Sequence, residues 1–230
     1  MVQNKDGNIY LKIVYYGMAG SGKTTILNTL YNLTKEGTRE IIPVGDLKKI
    51  DRASGATLYF DRGIFQSKKH KKVYYRVYTV AGQKGFTPLR IKVFNMLDAE
   101  TDAVIFVVDS QIKFFEDNIE YLLELKSITK NRLIKEIPFI IMLNKQDLKE
   151  VISDENFIQI LKNEKLWYYP KNDLYIWNPL IYKTCALFDQ EKDIYRSFYE
   201  IARRTALYHI YGDGKAPVDK KISDTSIFTV

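Results

Sequence analysis

Apolar and polar residues follow two periods along this chain. Short runs of β-branched and aromatic residues give way to stretches where apolar side chains recur every three or four positions, without repeats or low-complexity tracts. That alternation marks an α/β domain, in which each strand feeds a helix that packs back on the sheet. Ile9–Tyr16 reads as a strand ending at Gly17, and Lys23–Asn32 as the helix after it, with Ile26, Leu27 and Leu30 on its buried face. Thr57–Phe65 and Val73–Val80 read as a β-hairpin around the basic turn Ser67-Lys68-Lys69-His70-Lys71-Lys72. A helix starts at Thr87-Pro88, since proline does no harm at the first helical position, and its apolar face carries Ile91, Phe94 and Leu97. Val104–Val108 and Phe139–Leu143 are nearly pure apolar runs, as expected of parallel strands covered on both faces. Between them lies a helix with Ile119, Leu122, Leu123 and Lys126 on one face. Ser153 caps a shorter helix through Leu161, Leu180–Thr184 is a strand, and Asp193–Ile210 is a helix with Ile194, Phe198, Ile201 and Thr205 in register. Lys165–Asn178, rich in Trp and Tyr, has no clear period, and residues from Gly212 onward read as a loose tail. The expected architecture is a doubly wound α/β fold, a mostly parallel six-stranded sheet with helices on both faces. The domain spans 1–211 and a flexible tail covers 212–230.

Composition narrows the setting without naming a ligand. At 230 residues, two independent cores would be cramped. Thirty-five Lys and Arg against 28 Asp and Glu leave a charge of +7, a mild attraction to anions. The lone Cys185 cannot form an internal disulfide, and no Cys/His cluster has metal-ligand spacing, so a disulfide-stapled scaffold and a structural zinc site are both excluded. Cytoplasm is the expected location. Met1–Asn8 is too polar for a signal peptide, and the apolar runs fall far short of the roughly 20 residues that span a bilayer. With neither a Gly at position 2 nor a C-terminal prenylation cysteine, any membrane association would be peripheral.

Two motifs carry chemistry. Gly17-Met18-Ala19-Gly20-Ser21-Gly22-Lys23-Thr24 satisfies G-x-x-x-x-G-K-[ST] and sits between a strand and a helix, as a phosphate loop must. Gly17, Ala19, Gly20, Ser21, Gly22, Lys23, Thr24 and Thr25 form the candidate phosphate-binding set. The glycines let backbone N–H groups turn inward toward phosphate oxygens, and the helix start adds partial positive charge. Lys23 then reaches the β- and γ-phosphates and Thr24 coordinates Mg²⁺. Asn144-Lys145-Gln146-Asp147 follows a buried strand at the edge where open α/β sheets bind ligands. The Asp147 carboxylate can accept two parallel hydrogen bonds from guanine N1–H and its exocyclic amine, which adenine lacks, while the Lys145 stem covers the base and Asn144 ties the loop.

With Thr79-Val80-Ala81-Gly82-Gln83 closing one strand and Thr184-Cys185-Ala186 closing another, the motif order resembles the small GTPases of the Ras superfamily over about residues 9–210. Val14-Tyr15-Tyr16-Gly17, Thr57-Leu58-Tyr59-Phe60-Asp61, Val77–Gln83 and Val107-Val108-Asp109-Ser110 resemble most closely the MglA-type polarity GTPases of bacteria and archaea. The resemblance implies a P-loop GTPase fold, GTP and GDP as ligands with Mg²⁺, and a switch between two surfaces. It further implies that Thr57 closes on Mg²⁺ and the γ-phosphate, that Gly82 bonds that phosphate, and that Gln83 orients the attacking water. Cys185 and Ala186 would line the guanine oxygen, and Lys23, Gly82 and Gln83 form the expected catalytic set. Partners would be nucleotide-state-dependent proteins, among them a Roadblock-fold activator. Two departures stand out. Thr79 replaces the Asp that holds Mg²⁺ through water in most small GTPases, a change the MglA-type proteins share, and Ala56 stands where they often carry a catalytic Arg.

Other readings stay open at this stage. A scaffold that binds guanine nucleotide but hardly hydrolyses it fits Thr79 and Ala56, whereas Gln83 speaks against it. A nucleic-acid-associated GTPase would use the basic turn with Lys48-Lys49 and Lys220-Lys221, although a charge run at a hairpin tip is more often a solvated turn. Trp167, Tyr168, Tyr169, Tyr175 and Trp177 serve either core packing or a partner surface.

Overall fold

The computed structural model describes residues 1–50, 60–95, 100–187, 189 and 191–218. Arg52, Gly55, Ala56, Thr57, Leu97, Lys220 and Lys221 lie outside the described residues. In chain order the elements are β1 (Val2–Gln3), β2 (Ile9–Tyr16), α1 (Lys23–Lys35), β3 (Ile41–Pro43), β4 (Lys48–Ile50), β5 (Phe60–Ser67) and β6 (Val73–Thr79). There follow α2 (Thr87–Asn95), β7 (Ala103–Asp109), α3 (Phe115–Ile128), β8 (Phe139–Asn144), α4 (Asp154–Asn163), β9 (Ile181–Lys183) and α5 (Ile194–Tyr211).

One sheet runs β3-β5-β6-β2-β7-β8-β9, with β1 added to β2 and β4 to β5. The strands β6, β2, β7, β8 and β9 are parallel, with Ile13 opposite both Val77 and Ala103, Val104 opposite Phe139 and Ile141 opposite Ile181. β5 pairs antiparallel with β6 as the hairpin reading requires, from Arg62 opposite Tyr78 to Gln66 opposite Tyr74. Side chains of β2 alternate between two cores. Leu11, Ile13 and Tyr15 pack with Ile26, Leu27 and Leu30 of α1 and Ile194, Phe198 and Ile201 of α5, while Val14 and Tyr16 pack with Val93, Phe94, Leu122 and Leu125 of α2 and α3 and with Phe157 of α4. Every residue of β7 is buried, which is why its sequence is apolar without alternation up to its last residue, Asp109. A doubly wound sheet with helices on both faces is therefore what forms.

Several details differ from the sequence reading. Among the described residues nine strands form rather than six, because β1, β3 and β4 are two- or three-residue additions whose side chains carry too short a pattern to read. α1 runs on to Lys35, three residues past the predicted end, with Thr34 turned inward to bond Leu30 O. The buried face of α2 is Arg90, Val93 and Phe94, leaving Ile91 40% exposed. Likewise α3 buries Asn118, Tyr121, Leu122, Leu125 and Ile128 and leaves Leu123 outside. In both helices a polar side chain with buried partners rotates the face away from the purely apolar register. The aromatic segment divides: Leu166 and Trp177 join the core, Tyr169 and Tyr175 are exposed, and Asn178 bonds both backbone groups of Tyr168. Beyond α5, Ala216 and Pro217 are buried, and Ala216 N donates to Lys135 O.

Candidate functional site

Because β2, β6, β7, β8 and β9 run parallel, their C-terminal ends lie along one sheet edge. The connections leaving that edge contain Gly17–Thr24, Val80–Gln83, Ser110, Lys145–Asp147 and Thr184–Ala186. Residues more than 160 positions apart in the chain are thereby neighbours, in the place where open α/β sheets bind their ligands.

The phosphate-loop sequence curls from β2 into α1. Gly22 is the N-cap of α1 at φ 101°, a left-handed conformation, and a Cβ there would collide with the Asn144 amide. No N-cap side chain bonds the start of α1 and its first turn holds no acid, so among the described residues the N–H groups of that helix start have no capping carboxylate or hydroxyl. Lys23 is 7% exposed, and its ammonium donates to Gly17 O at 2.8 Å and Met18 O at 2.6 Å, with Ser21 Oγ at 3.4 Å. Burial, and secondarily the charge of Arg90, pushes its pKa down to about 7. The arrangement is a cradle of donors beside a lysine that pairs with no carboxylate among the described residues, which fits a bound phosphate. Gly20 and Thr25 face solvent at its rim.

Beside this cradle stands a carboxylate. Thr24 Oγ1 donates to Asp61 Oδ2 at 2.5 Å, Thr79 Oγ1 donates to the same oxygen at 3.3 Å, and Asp61 N donates to Thr79 Oγ1 at 3.0 Å. The hydroxyl and carboxylate are hard oxygen donors of the kind Mg²⁺ takes, and they fit that ion. Among the described residues no group of three or more His, Cys, Asp or Glu could hold a metal alone, so phosphate oxygens would have to complete a shell here. Gly82 presses against the phosphate loop: Ala19 N donates to Gly82 O at 2.8 Å, and a Cβ on Gly82 would overlap the Ala19 backbone. The Gln83 side chain is exposed next to it.

The opposite end of the edge is built from β8 and β9. Asn144 Nδ2 donates to Ser21 O at 2.8 Å, fastening the phosphate loop to β8, while Thr184 Oγ1 donates to Asn144 Oδ1 at 3.3 Å. Gln146 N donates to Thr184 O at 3.1 Å, so the two loops share backbone bonds. Lys145, at φ 69°, places its Nζ 2.6 Å from Oδ2 of the buried Asp109. Asp147 is exposed at the loop rim, with the Cys185 thiol beside it, and burial pushes that thiol's pKa up. Ala186 packs near Gly22 and its carbonyl accepts from Thr29 Oγ1 at 2.5 Å.

The structure thus brings together every predicted site residue that it describes; Thr57 lies outside the described residues. Asp61, Asp109 and Arg90 join this edge without a motif that marks them. Asp61 was within reach, because one step past the Arg62–Tyr78 pair of the hairpin puts it across from Thr79. Asp109 and Arg90 carry no such signal, since each is a polar residue inside an apolar pattern whose partners are distant in the chain.

Fold and cradle together define a nucleotide-binding P-loop protein of the small-GTPase type. The ADP-ribosylation factor family matches residues 1–195. The mutual gliding-motility protein MglA of Myxococcus xanthus (strain DK1622) is 31% identical over 169 residues, covering 69% of this chain and 78% of that protein. The chain belongs to the ADP-ribosylation factor family of small GTPases and is MglA-like. Among the described residues no helix is long and apolar enough to cross a membrane.

Proposed function

We propose that this chain is a GTP/GDP switch that hydrolyses GTP slowly on its own, using the sheet-edge site as its nucleotide pocket. The observation that carries the reading is the uncapped α1 start with buried Lys23, joined through Asn144 to the loop bearing Asp147. Lys23 and the backbone amides of Gly17–Thr25 hold the phosphates, Thr24 and Thr57 hold Mg²⁺, and Asp147, Lys145, Cys185 and Ala186 hold the guanine. Asp61 supplies the carboxylate that Thr79 lacks, moved across the β5–β6 pair to the same corner. Bound Mg²⁺ screens the phosphate charge. Gln83 orients a water for in-line attack on the γ-phosphate and Gly82 bonds that phosphate. An arginine at the transferring phosphate is worth about 10³–10⁵ in rate, and Ala56 stands where the resemblance would place one. The isolated protein is therefore slow, and an activator, by resemblance of Roadblock fold, supplies an arginine or reorders the loops. The resemblance to polarity GTPases suggests state-dependent protein partners, with the protein cytoplasmic or peripheral at a membrane. The Thr24–Asp61 contact favours this reading over a scaffold that binds without hydrolysing, because it restores a metal-site carboxylate.

Competition binding with GTP, ATP and XTP tests the guanine assignment. Asp147→Asn removes the two-acceptor carboxylate, so GTP affinity should fall about 100-fold while XTP binding improves. Equal affinity of the unaltered protein for ATP and GTP would overturn the assignment.

A further inference from the structure

Arg90 of α2 is 1% exposed, and all five of its N–H donors are used. Nε and Nη2 fork onto the two carboxylate oxygens of Glu124 in α3 at 2.8 and 2.9 Å. Nη2 also reaches Thr87 Oγ1 at 2.9 Å, and Nη1 divides between Ala81 O at 3.0 Å and Gln83 O at 2.9 Å. The carbonyl between those two, Gly82 O, accepts from the Tyr121 hydroxyl of α3 at 2.6 Å as well as from Ala19 N. The guanidinium also stands 5.2 Å from the centre of the Tyr121 ring. Three successive carbonyls of the loop that follows β6 are therefore fastened to groups seated on α2 and α3.

Holding α2 on the sheet does not require this. Val93 and Phe94 already anchor the helix in the core, and a buried guanidinium is tolerated only when every donor finds an acceptor. What the fork adds is a fixed backbone at Ala81, Gly82 and Gln83. A lysine would keep the charge but not the planar geometry that serves two carbonyls and a carboxylate at once.

We propose that Arg90, seated by Glu124 and supported by Tyr121, is a positioning residue. It sets the Ala81–Gln83 backbone so that the loop discriminates a nucleotide bearing a γ-phosphate from one without it, and it makes α3 the element through which that discrimination can be altered. This rests on the reading of Gly82 and Gln83 given above. The Arg90 donors and the Tyr121 hydroxyl are spent on loop carbonyls, Thr87 and Glu124, so these residues act through the loop they hold.

Tyr121→Phe removes a single hydroxyl, and Arg90→Lys removes the fork. In each full-length variant, affinities for GDP and for a non-hydrolysable GTP analogue, the single-turnover hydrolysis rate and amide exchange over residues 81–86 are measured. GDP affinity should stay within about twofold of the parent, while analogue affinity and hydrolysis fall about fivefold in Tyr121→Phe and about tenfold or more in Arg90→Lys. Exchange at 81–86 should quicken in both. If Arg90→Lys fails to fold, Tyr121→Phe decides alone. An unchanged ratio of analogue to GDP affinity with unchanged exchange overturns the proposal, as does an equal loss of both nucleotides, which would mark mere support of the fold. A parent protein that binds no guanine nucleotide defeats the functional reading and this inference with it. A parent that binds both, with variants that discriminate as it does, defeats the inference alone.

Discussion

α1 and α4 begin in opposite ways. α4 opens on Ser153, whose Oγ accepts from Asn156 N at 3.2 Å, and Asp154 and Glu155 stand in its first turn. α1 opens on a left-handed Gly22 with no cap and no acid, and its first residue is a buried lysine. Both helices present the same unsatisfied N–H groups and the same partial positive charge. α4 answers them from its own side chains, whereas α1 leaves them facing the sheet edge and adds a further cation. A helix start left open in a folded domain forgoes about 1 kcal/mol of capping, and such an end is suited to an anion that arrives from outside. The same physical feature is thus closed in one place by the helix's own side chains and left open in the other, where the function proposed above seats a phosphate.

The largest effect follows from removing the open end's cation. If the proposed function holds, Lys23→Ala takes away a charge-assisted contact to the phosphates, and GTP and GDP affinity should fall by about 100-fold or more. Thr24→Asn should do the same when Mg²⁺ is present. Both variants should stay folded, since among the described residues Lys23 bonds loop carbonyls and Ser21, and Thr24 bonds Asp61 at an exposed position. Titration with a fluorescent guanine nucleotide measures this, and two folded variants that bind normally would show that α1 is no more a ligand site than α4.

A second effect comes from the depressed ammonium of Lys23. Burial, with the charge of Arg90, brings its pKa from the ordinary 10.5 to about 7, and phosphate oxygens bound beside it would raise it again. Above pH 7 the free site is therefore mostly neutral and the occupied site charged. Nucleotide binding takes up a proton there, and affinity falls as pH rises, by up to about tenfold per unit. Calorimetry in buffers of different ionisation enthalpy reads the proton directly. The same shift makes the fold gain stability as pH rises from 7 toward 10.5 when no anion is bound, because the unfolded chain binds the extra proton in that window. Buried Tyr15, Tyr16 and Tyr75, with pKa values pushed up, oppose this only above about pH 10, where an unfolded tyrosine begins to ionise.

The contrast between the two helix starts was largely readable from the chain. Gly22-Lys23-Thr24 after an apolar strand predicts an open phosphate-binding start, and Ser153 before an amphipathic stretch predicts a closed one, because caps and glycines act locally. What escaped was set by pairing across the fold. Asp61 acquires meaning only when the hairpin register brings it to Thr79 and Thr24. Arg90 escaped because an arginine in a helix reads as solvent-facing, until Glu124 and two loop carbonyls satisfy it. The short strands β3 and β4, inside what reads as one long connection, owe their existence to the edge of β5 rather than to their own sequence.

The smallest effect sharpens the comparison from the closed side. Ser153→Ala deletes the hydroxyl that satisfies Asn156 N and should lower stability by about 1 kcal/mol, while Ser153→Gly should lower it by only a few tenths. The helix itself should persist, because Phe157, Ile160 and Leu161 stay buried beneath it. Ser153 is close enough to the nucleotide edge for this to be a demanding control. Ile152 N donates to Ser110 O at 2.7 Å, and Asp154 pairs at 2.9 Å with Lys183, the residue before Thr184. If α4 is closed for the sake of the fold alone, urea unfolding should register the substitution and nucleotide affinity should not move. A drop in GTP affinity comparable to that of Lys23→Ala, with stability unchanged, would mean that the capped helix serves the ligand as well and that the division between the two helix starts is false.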